Sequence, residues 1–342
     1  MQPESVGALT ETQIRATASA ISEQQTASGM ILWFSDGHAD TWNHTEAAMA
    51  LSTAGLVSAA GRAYEWLARS QRPDGSWHHY YLTNGVEDAK VDTNCCAYVA
   101  TGVLHHFLTT NDSNFLEEMW PTVKKALDFV VGHQAASGHI PWAIHTSGTP
   151  WSYSLVTGSS SILHSLRCGV VLASHLNQEQ PDWEFAAVRL ASLLQSHESQ
   201  FEPKRRWAMD WYYPVLTGVL TGREASRRLS ARFEEFALGD RGVRCVSDQP
   251  WITTAETCEC AMAFLATGDE APAHKLFESI QLLRDDDGAY FTGMVFPDEI
   301  TFPDNERSTY SSAAVVLAAG ALGNKSPASR LLLGNGLPSL DF

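Results

Sequence analysis

The sequence predicts an all-α fold in which six helical hairpins close into a ring, an (α/α)6 barrel or toroid. Six times, an amphipathic helical stretch leads into a short Gly-containing segment that ends in an aromatic residue, and a second helix then starts with polar residues. The six aromatic residues are Trp33, Trp77, Trp142, Trp207, Trp251 and Tyr290. Their spacing is irregular and no consensus recurs at a fixed period, which favours a closed ring over an open solenoid.

The first helix of each pair is amphipathic. Periodicity and punctuation place these helices near residues 10–27, 56–70, 114–134, 182–199, 222–238 and 270–284. The stretch 115–129, for example, carries its charge on one face. A helix with one polar face belongs on the outside, so we expect these six to form the outer layer.

The second helix of each pair is apolar around most of its circumference. These helices are predicted near residues 42–54, 94–110, 159–176, 211–220, 255–267 and 310–322. The segments 95–100 and 312–321 are almost continuously apolar, which predicts a buried inner layer. If the ring closes, the N-terminal ends of all six inner helices lie at one end and build one cleft.

We expect residues 1–342 to form a single barrel domain, with a loose N-terminus over about 1–10 and an irregular tail over about 325–342. The chain shows neither a signal-like segment nor eighteen consecutive apolar residues, so we expect a soluble, cytoplasmic protein. The six cysteines are Cys95, Cys96, Cys168, Cys245, Cys258 and Cys260. Neither the adjacent pair nor the C-x-C pair has structural zinc spacing, which favours small buried residues in a reducing compartment.

Charge narrows the choice of ligand. The chain has 23 Lys and Arg against 39 Asp and Glu, a formal net charge of -16. Such a surface does not attract nucleic acid or an anionic membrane, whereas a neutral oligo- or polysaccharide suits it. The sequence leaves the oligomeric state open.

The start of the first inner helix combines several chemical groups. Asp40 is placed to cap the helix, and capping alone would account for it. The same short stretch also offers Trp42, His44 and Glu46. This density exceeds what a cap requires, so we predict a catalytic role for Asp40 and substrate contacts for the other three.

The start of the fifth inner helix carries two carboxyl groups, Glu256 and Glu259. Thr253 and Glu256 have the spacing of a capping box, in which the glutamate would only satisfy a backbone amide. Glu256 also sits in apolar surroundings, where a carboxyl group acquires the raised pKa of a general acid. We predict a catalytic role for Glu256 and a substrate contact for Glu259.

Hydrolysis of a glycosidic bond requires two carboxyl groups facing each other across it. In a six-pair ring, only the sixth inner helix separates the first from the fifth. Asp40 and Glu256 can therefore approach each other across one sector of the cleft. Asp92 and Asp210, at the second and fourth helix starts, are more often caps or ligands of sugar hydroxyls.

Aromatic side chains concentrate at the same end, where flat rings can stack on the apolar faces of sugars. The aromatic candidates are Trp42, Trp77, Trp142, Trp211, Tyr212, Tyr213, Trp251 and Tyr290. Asn94, Ser160, His164 and Arg244 are further polar candidates for substrate binding. The alternative is that half of the tryptophans only close the inner ring, and we expect this of Trp33 and Trp207.

Several motifs together resemble a known family. They cover residues 71–77, 92–94, 157–161 with 164–168, 209–214, 244–248 and 254–258. They are similar to the actinobacterial prenyltransferase-like proteins, a family that includes the mycobacterial methylmannose polysaccharide hydrolases, and the similarity runs from about residue 30 to 322. It implies an (α/α)6 barrel with endo-α-mannosidase activity on α-1,4-linked mannose oligomers. The family's Asp at the first helix start and Glu at the fifth match Asp40 and Glu256. Residues 34–39 depart from the Pro-containing approach expected before that Asp.

Two alternatives remain. Terpene cyclases and protein prenyltransferases share the toroid and the Gln-x-x-Asp-Gly-Ser-Trp signature, which occurs once here at residues 71–77. A cyclase needs an acidic cluster, and the nearest match, Asp285 to Asp287, reads as a solvated turn. A prenyltransferase needs a zinc set of Asp, Cys and His, which the spacing does not reveal, so we expect neither metal nor cofactor. The other alternative is a glycan-binding toroid without catalysis.

Overall fold

The structure, a computed structural model, describes residues 5–6, 9–324, 326–334 and 337. Within these residues the chain forms twelve α-helices in the predicted order. The outer helices are α1 Glu11–Glu23, α3 Val57–Ser70, α5 Ser113–Gly132, α7 Pro181–Ser196, α9 Gly222–Phe236 and α11 Glu270–Ser279. The inner helices are α2 Thr41–Thr53, α4 Thr93–Thr110, α6 Val156–His175, α8 Met209–Leu216, α10 Thr254–Ala266 and α12 Thr309–Gly323.

The inner helices close a ring. Each contacts the next in chain order, and α12 returns to contact α2. The residues of α12 from Ser311 to Ala319 are all buried, because small side chains on every face let the helix pack between two inner neighbours and an outer one. The closed all-α ring predicted from the sequence is confirmed.

The outer helices bury one face only. In α7, Trp183, Ala186, Ala187, Leu190 and Leu194 are buried. Complete burial of one leucine such as Leu190 contributes about 2 kcal/mol. The indole N–H of Trp183 donates to Asp128 on α5 at 3.0 Å, which ties two outer helices together.

The Gln-x-x-Asp-Gly-Ser-Trp segment is a structural clamp. The Gln71 side-chain amide donates to the carbonyl of Gly75 at 3.0 Å and to that of Thr122, on α5, at 2.9 Å. Gly75 has a φ of 92°, and a Cβ there would lie 2.2 Å from the Lys125 carbonyl oxygen, so only glycine fits. Gln25 with Gly29 and Gln134 with Gly138 repeat this hydrogen-bonding pattern. The segment therefore fixes the distance between neighbouring outer helices, and these contacts give it a structural rather than a catalytic role.

Short antiparallel strands, which the sequence analysis did not predict, supplement the helices. They are β1 Ser5–Val6 with β2 Leu9–Thr10, β3 Tyr80–Leu82 with β4 Gly85–Asp88, β5 Val91–Asp92 with β6 Ala143–Ile144, and a sheet of β7 Trp251–Thr253, β8 Phe291–Val295 and β9 Ile300–Arg307. β5 leads directly into α4 and β7 into α10, while β9 ends two residues before α12. The strands thus fix the chain where three inner helices begin.

Parts of both terminal segments form regular structure. The N-terminal stretch contains the β1–β2 pair, while residues 1–4 and 7–8 lie outside the described residues. In the predicted irregular tail, Pro327–Leu333 forms a 3-10 helix, and residues 325, 335–336 and 338–342 lie outside the described part. Its Leu331 carbonyl accepts from His164 at 2.8 Å. The segment therefore lies against the inner helices.

Across the described ranges, no helix combines the length and apolarity needed to cross a membrane.

Candidate active site

The starts of consecutive inner helices are tied to one another. The Thr309 amide, at the sixth start, donates to the Trp33 carbonyl ahead of the first at 2.7 Å. Asp92, at the second, pairs with Ala143, which lies ahead of the third. Thr157, at the third, donates to Asp210, at the fourth, at 2.7 Å. These links gather the starts at one end of the ring, here called the cleft end.

Asp40 is buried and accepts four hydrogen bonds. Its Oδ1 accepts from the backbone amides of Trp42 and Asn43 at 2.7 and 2.9 Å. Its Oδ2 accepts from Trp33 Nε1 and from Asn43 Nδ2, both at 2.7 Å. Burial raises the pKa of Asp40, and these four donors oppose the rise. The capping interpretation is correct, but two side-chain donors exceed what a cap requires.

Trp33, which the sequence analysis assigned to closing the ring, belongs to the site. Besides donating to Asp40, its ring contacts that of Tyr310 at 5.0 Å and that of Tyr80 at 5.8 Å. Tyr80 lies on β3, so this hairpin closes over the Asp40 side of the cleft end. Trp207 does not close the ring either, because its side chain is 45% exposed.

Glu256 lies in the first turn of α10. The capping box that its spacing suggested is not formed, since the Thr253 side chain makes no capping hydrogen bond to the described residues. Burial raises the pKa of Glu256, and the nearby Thr253 side chain opposes the rise. A carboxyl group without a capping duty and with a raised pKa meets the requirement for a general acid.

Tyr310 lies close to the surroundings of both carboxyl groups. It sits at the start of α12, and its ring contacts Trp33, the hydrogen-bond donor to Asp40. Burial raises the pKa of the Tyr310 hydroxyl, and the neighbouring charge of Glu256 raises it further. The sixth helix start therefore lies between the first and the fifth, as the ring order predicts.

Two further carboxyl groups lie deeper along the same helices. Glu46 on α2 accepts from Trp42 Nε1 at 3.1 Å and from the Tyr98 hydroxyl at 3.0 Å, and burial raises its pKa to about 7. Glu259 on α10 accepts from the Tyr212 hydroxyl, and burial raises its pKa well above the usual range. The charge of Glu46 raises the pKa of Glu259 further, and the charge of Asp40 raises that of Glu46, so the acidic groups on α2 and α10 are electrostatically linked.

Asp92 and Asp210 are anchored at the second and fourth helix starts. Asp92 caps α4 by accepting from the Cys95 amide at 3.1 Å, and burial raises its pKa to about 6. Burial also raises the pKa of Asp210, against the opposing hydrogen bond from Thr157. Asn94 is buried with Oδ1 unpartnered among the described residues, which suits a position awaiting a ligand.

The predicted aromatic surface is partly present. The ring of Trp42 contacts those of Tyr98 at 5.5 Å and Tyr213 at 5.9 Å. Trp142 and Trp251 are half-buried, and Trp251 stacks on Phe302 at 4.6 Å. Tyr212 and Tyr213 are buried around Glu259. The sequence analysis identified these aromatic residues but missed Tyr98 and Tyr310.

Four other aromatic or imidazole candidates serve the core. Trp77 is 1% exposed and donates to the Leu67 carbonyl at 3.0 Å. Trp211 stacks on Phe236 at 5.2 Å and donates to the Arg228 carbonyl. Tyr290 is fully buried and donates to Gln281. His44 accepts from the Ile31 amide and donates to the Ala63 carbonyl. These hydrogen bonds explain the four residues as structural.

Three polar candidates are likewise occupied by the protein itself. Ser160 donates to the Val156 carbonyl at 2.7 Å within α6. His164 donates to Leu331 in the C-terminal 3-10 helix. Arg244 binds the Glu235 carbonyl through its guanidinium group. Motif position alone suggested them, and it does not reveal which protein groups their side chains contact.

One set of metal-ligand types is assembled that the spacing did not reveal. His79, Asp92 and Cys95 bring an imidazole nitrogen, a carboxylate oxygen and a sulfur within 4.8 Å of one another. The three acidic residues Asp285 to Asp287 instead form the expected turn, where Asp285 and Asp287 each pair with Arg307 at 2.6 Å. The six cysteines, all in described residues, are free, and five are buried.

The closed α/α ring has buried carboxyl groups and aromatic side chains at one end, and together with the sequence relationship that follows this makes the chain a glycoside hydrolase. It is 47% identical over 332 residues to the MMP endo-(1,4)-3-O-methyl-alpha-D-mannosidase of Mycolicibacterium hassiacum, an alignment covering 97% of this chain and 92% of the relative. The chain belongs to the family of that enzyme. No protein-family profile matches it.

Solved structures share the fold at low sequence identity. A glycosidase variant in complex with glucose superposes with a TM-score of 0.75 at 16% identity, covering 92% of this chain and 96% of that one. Cellobiose 2-epimerase from Spirochaeta thermophila superposes with a TM-score of 0.66 at 13% identity, covering 92% and 97%. At such identities the similarity shows the (α/α)6 fold alone.

Proposed function

We propose that this protein cleaves internal α-1,4 linkages of a 3-O-methylated mannose oligosaccharide, with Glu256 as the general acid and Asp40 as the opposing carboxylate. The observation that carries the assignment is the contrast between the two carboxyl environments. The near full-length relationship to the M. hassiacum enzyme supports the substrate class.

Asp40 is assigned the ionised role because of its donors. An ionised carboxylate only accepts hydrogen bonds, and all four partners of Asp40 are N–H groups. A proton on either oxygen would have to displace one of them. The Asn43 side-chain amide is the donor best able to leave, because rotation of that side chain frees one lone pair of Asp40 towards the substrate.

Glu256 is assigned the acidic role because burial favours its protonated form and, unlike Asp40, it is not held by four N–H donors. In the reaction it gives its proton to the glycosidic oxygen as the bond from that oxygen to the anomeric carbon breaks. Asp40 acts on the opposite side of the sugar, either taking a proton from the attacking water or bonding to the anomeric carbon until water replaces it. One water is consumed in either course. When Asp40 bonds to the anomeric carbon, Glu256 takes its proton back from the water that releases the sugar; when Asp40 takes the proton of the water, proton exchange with solvent restores both carboxyl groups. The anomeric form of the first product distinguishes the two courses.

The deeper carboxyl groups fit binding better than bond cleavage. Glu46 and Glu259 already receive hydrogen bonds from Trp42, Tyr98 and Tyr212. Together with Asp92, Asn94 and Asp210 they are proposed to bind sugar hydroxyls. Trp42, Trp142, Trp251 and Tyr213 offer apolar surface for sugar faces and methyl ether groups. Subsites on both sides of the cleaved bond would explain internal cleavage.

The test is incubation with α-1,4-mannooligosaccharides of graded length, with and without 3-O-methyl groups, followed by mass analysis of the products. We expect shortened oligomers from the methylated series and none with Glu256→Gln. Tight binding of intact oligomers by the unmodified protein, without cleavage, would contradict the proposed hydrolysis. Equal cleavage of an unrelated glucan would contradict the proposed substrate. NMR of the first product assigns retention or inversion.

We also propose a cytoplasmic location, supported by six free cysteines of which five are buried. Free thiols persist in a reducing compartment. Labelling of the native protein in intact cells with a membrane-impermeant thiol reagent would contradict this location.

A further inference from the structure

Three side chains beside the cleft end form a set of which the proposed function uses only Asp92. His79 precedes β3, Asp92 ends β5, and Cys95 lies in the first turn of α4. A nitrogen, a carboxylate oxygen and a sulfur from these residues lie within 4.8 Å of one another. Imidazole, carboxylate and thiolate are the three protein ligands that zinc uses.

The backbone brings these positions together independently of any ion. The His79 amide donates to the Lys90 carbonyl at 2.7 Å, which places His79 beside the strand that ends in Asp92. Asp92 is held by its pairing with Ala143 and accepts from the Cys95 amide at 3.1 Å. Because these hydrogen bonds fix the main chain at all three positions, binding requires little further ordering of the backbone.

The set contains a nitrogen that lacks a hydrogen-bond partner. The Nδ1 atom of His79, a half-buried residue, is itself buried and finds no partner in the described part of the chain. Asp92 and Cys95 are 6% exposed each, and the Cys95 thiol lies against Asp92. A buried nitrogen left without a partner is destabilising, and a ligand at this atom would remove that cost.

We propose that His79, Asp92 and Cys95 bind one divalent cation of the zinc type. Zinc bonds of about 2.0–2.3 Å place tetrahedral ligands roughly 3.5 Å apart, so the three side chains need to close by roughly 1 Å. Three protein ligands leave a fourth position for water. On binding, the Cys95 thiol releases its proton to solvent and the thiolate coordinates the ion.

The surrounding charges permit a cation. Lys90 lies near His79 and opposes a positive ion, but it pairs with Asp88 at 2.9 Å. Asp40 is close enough to interact electrostatically with both Asp92 and Cys95, and its charge favours a cation. Binding of the ion is independent of which sugar is cleaved, so failure of one proposal leaves the other standing.

The experiment uses the full-length protein, free of any affinity tag and stripped with a chelator. Co²⁺ is titrated while absorption is recorded, and Zn²⁺ binding is measured by calorimetry. We expect one ion per chain, a thiolate-to-Co²⁺ charge-transfer band in the near ultraviolet, and proton release that depends on the buffer. Co²⁺ spectra without a thiolate band, or Zn²⁺ heats without a defined stoichiometry, would overturn the proposal.

Neighbouring residues supply matched controls. Cys95→Ser and His79→Asn should each weaken Zn²⁺ binding at least about tenfold, and Cys95→Ser should also remove the charge-transfer band. Cys96→Ser and His78→Asn make the same changes one position away and should keep the wild-type affinity. Unchanged affinity in Cys95→Ser, or equal loss in the control variants, would refute the site. His79 is half-buried, so His79→Asn keeps the test valid if Cys95→Ser does not fold.

Discussion

Replacement of Asp40 by asparagine separates its proposed catalytic role from its role as a helix cap. Asparagine caps helices about as well as aspartate, and its carbonyl oxygen can keep the bonds to the Trp42 and Asn43 amides. The new amide nitrogen then faces two N–H donors, from Trp33 and from the Asn43 side chain. The variant therefore loses a carboxylate without losing the cap.

The expected cost in stability is modest. The Asn43 side chain is half-buried and can turn away, so the unpaired Trp33 indole carries most of the penalty, about 2 kcal/mol. An unfolding entropy of roughly 2.1 cal/mol/K per residue over the whole chain converts this into a fall in Tm of roughly 3 °C. Loss of the catalytic carboxylate should instead lower kcat by at least about 100-fold.

The measurements are kcat on the methylated mannooligosaccharide and Tm by calorimetry. Asp112→Asn is the matched control, because Asp112 caps α5 through the amides of Asn114 and Phe115 at 3.0 and 3.1 Å, away from the cleft. It should keep full activity. Wild-type turnover in Asp40→Asn would remove Asp40 from the mechanism. An activity loss that merely follows a fall in Tm of more than about 10 °C would show a structural role only.

Four further predictions follow from the same contacts. Trp33→Phe keeps an aromatic ring but removes a hydrogen-bond donor to Asp40, which should raise the pKa of Asp40 and move the acid limb of the kcat-against-pH profile to higher pH. An unmoved limb would contradict the role of Trp33. Activity should fall at the high-pH side of the profile as Glu256 ionises, and a profile without a high-pH limb would contradict its role as the acid. Zn²⁺ should slow cleavage by wild type but not by Cys95→Ser, because Asp92 cannot bind sugar and metal together; equal inhibition of both would place the ion elsewhere. The buried histidines should destabilise the fold as pH falls from about 6.5 towards 4, since their folded-state pKa values are low and the unfolded chain binds more protons there, while carboxyl groups with a raised pKa such as Glu46 and Asp92 oppose this loss; denaturant melts of wild type and His105→Gln at pH 7 and 5 separate the histidine contribution, and an equal pH dependence of both would contradict it. The histidines with a pKa lowered by burial to about 4 are His44, His79, His106 and His164, and that of His105 is lowered to about 3.

The helices were predictable because their signals are local. Apolar residues all around the inner helices and on one face of the outer ones identified every pair, and the ring order followed from counting them. The boundaries were less accurate. The predicted helix 211–220 ends at Leu216, because Gly218 has a φ of 76° that an α-helix does not accommodate.

The site was only partly predictable because its partners come from distant segments. Asp40 and Glu256 stand out at helix starts, but Tyr310 gains its role only when α12 lies between α2 and α10. Similarly, His79 is brought to Asp92 by a backbone hydrogen bond to Lys90 that sequence spacing does not encode. Trp77 and Trp211 are the opposite case, because they were predicted to contact the ligand and instead pack in the core. The sequence does not distinguish an aromatic residue that faces a cleft from one nearby that faces the core.

The acidic groups keep their positions only if the ring of hairpins is closed. The carboxyl group of one hairpin is repeatedly held by a donor from a neighbouring hairpin. The pairs are Glu46 of α2 with Tyr98 of α4, Asp210 of α8 with Thr157 of α6, and Glu259 of α10 with Tyr212 of α8. A buried carboxyl group without such a donor is costly, so an open arrangement of the same helices would expose or neutralise these groups. The acidic cleft therefore depends on contacts between hairpins, and a change that loosens one interface should alter the pKa of the neighbouring carboxyl group before it unfolds the ring.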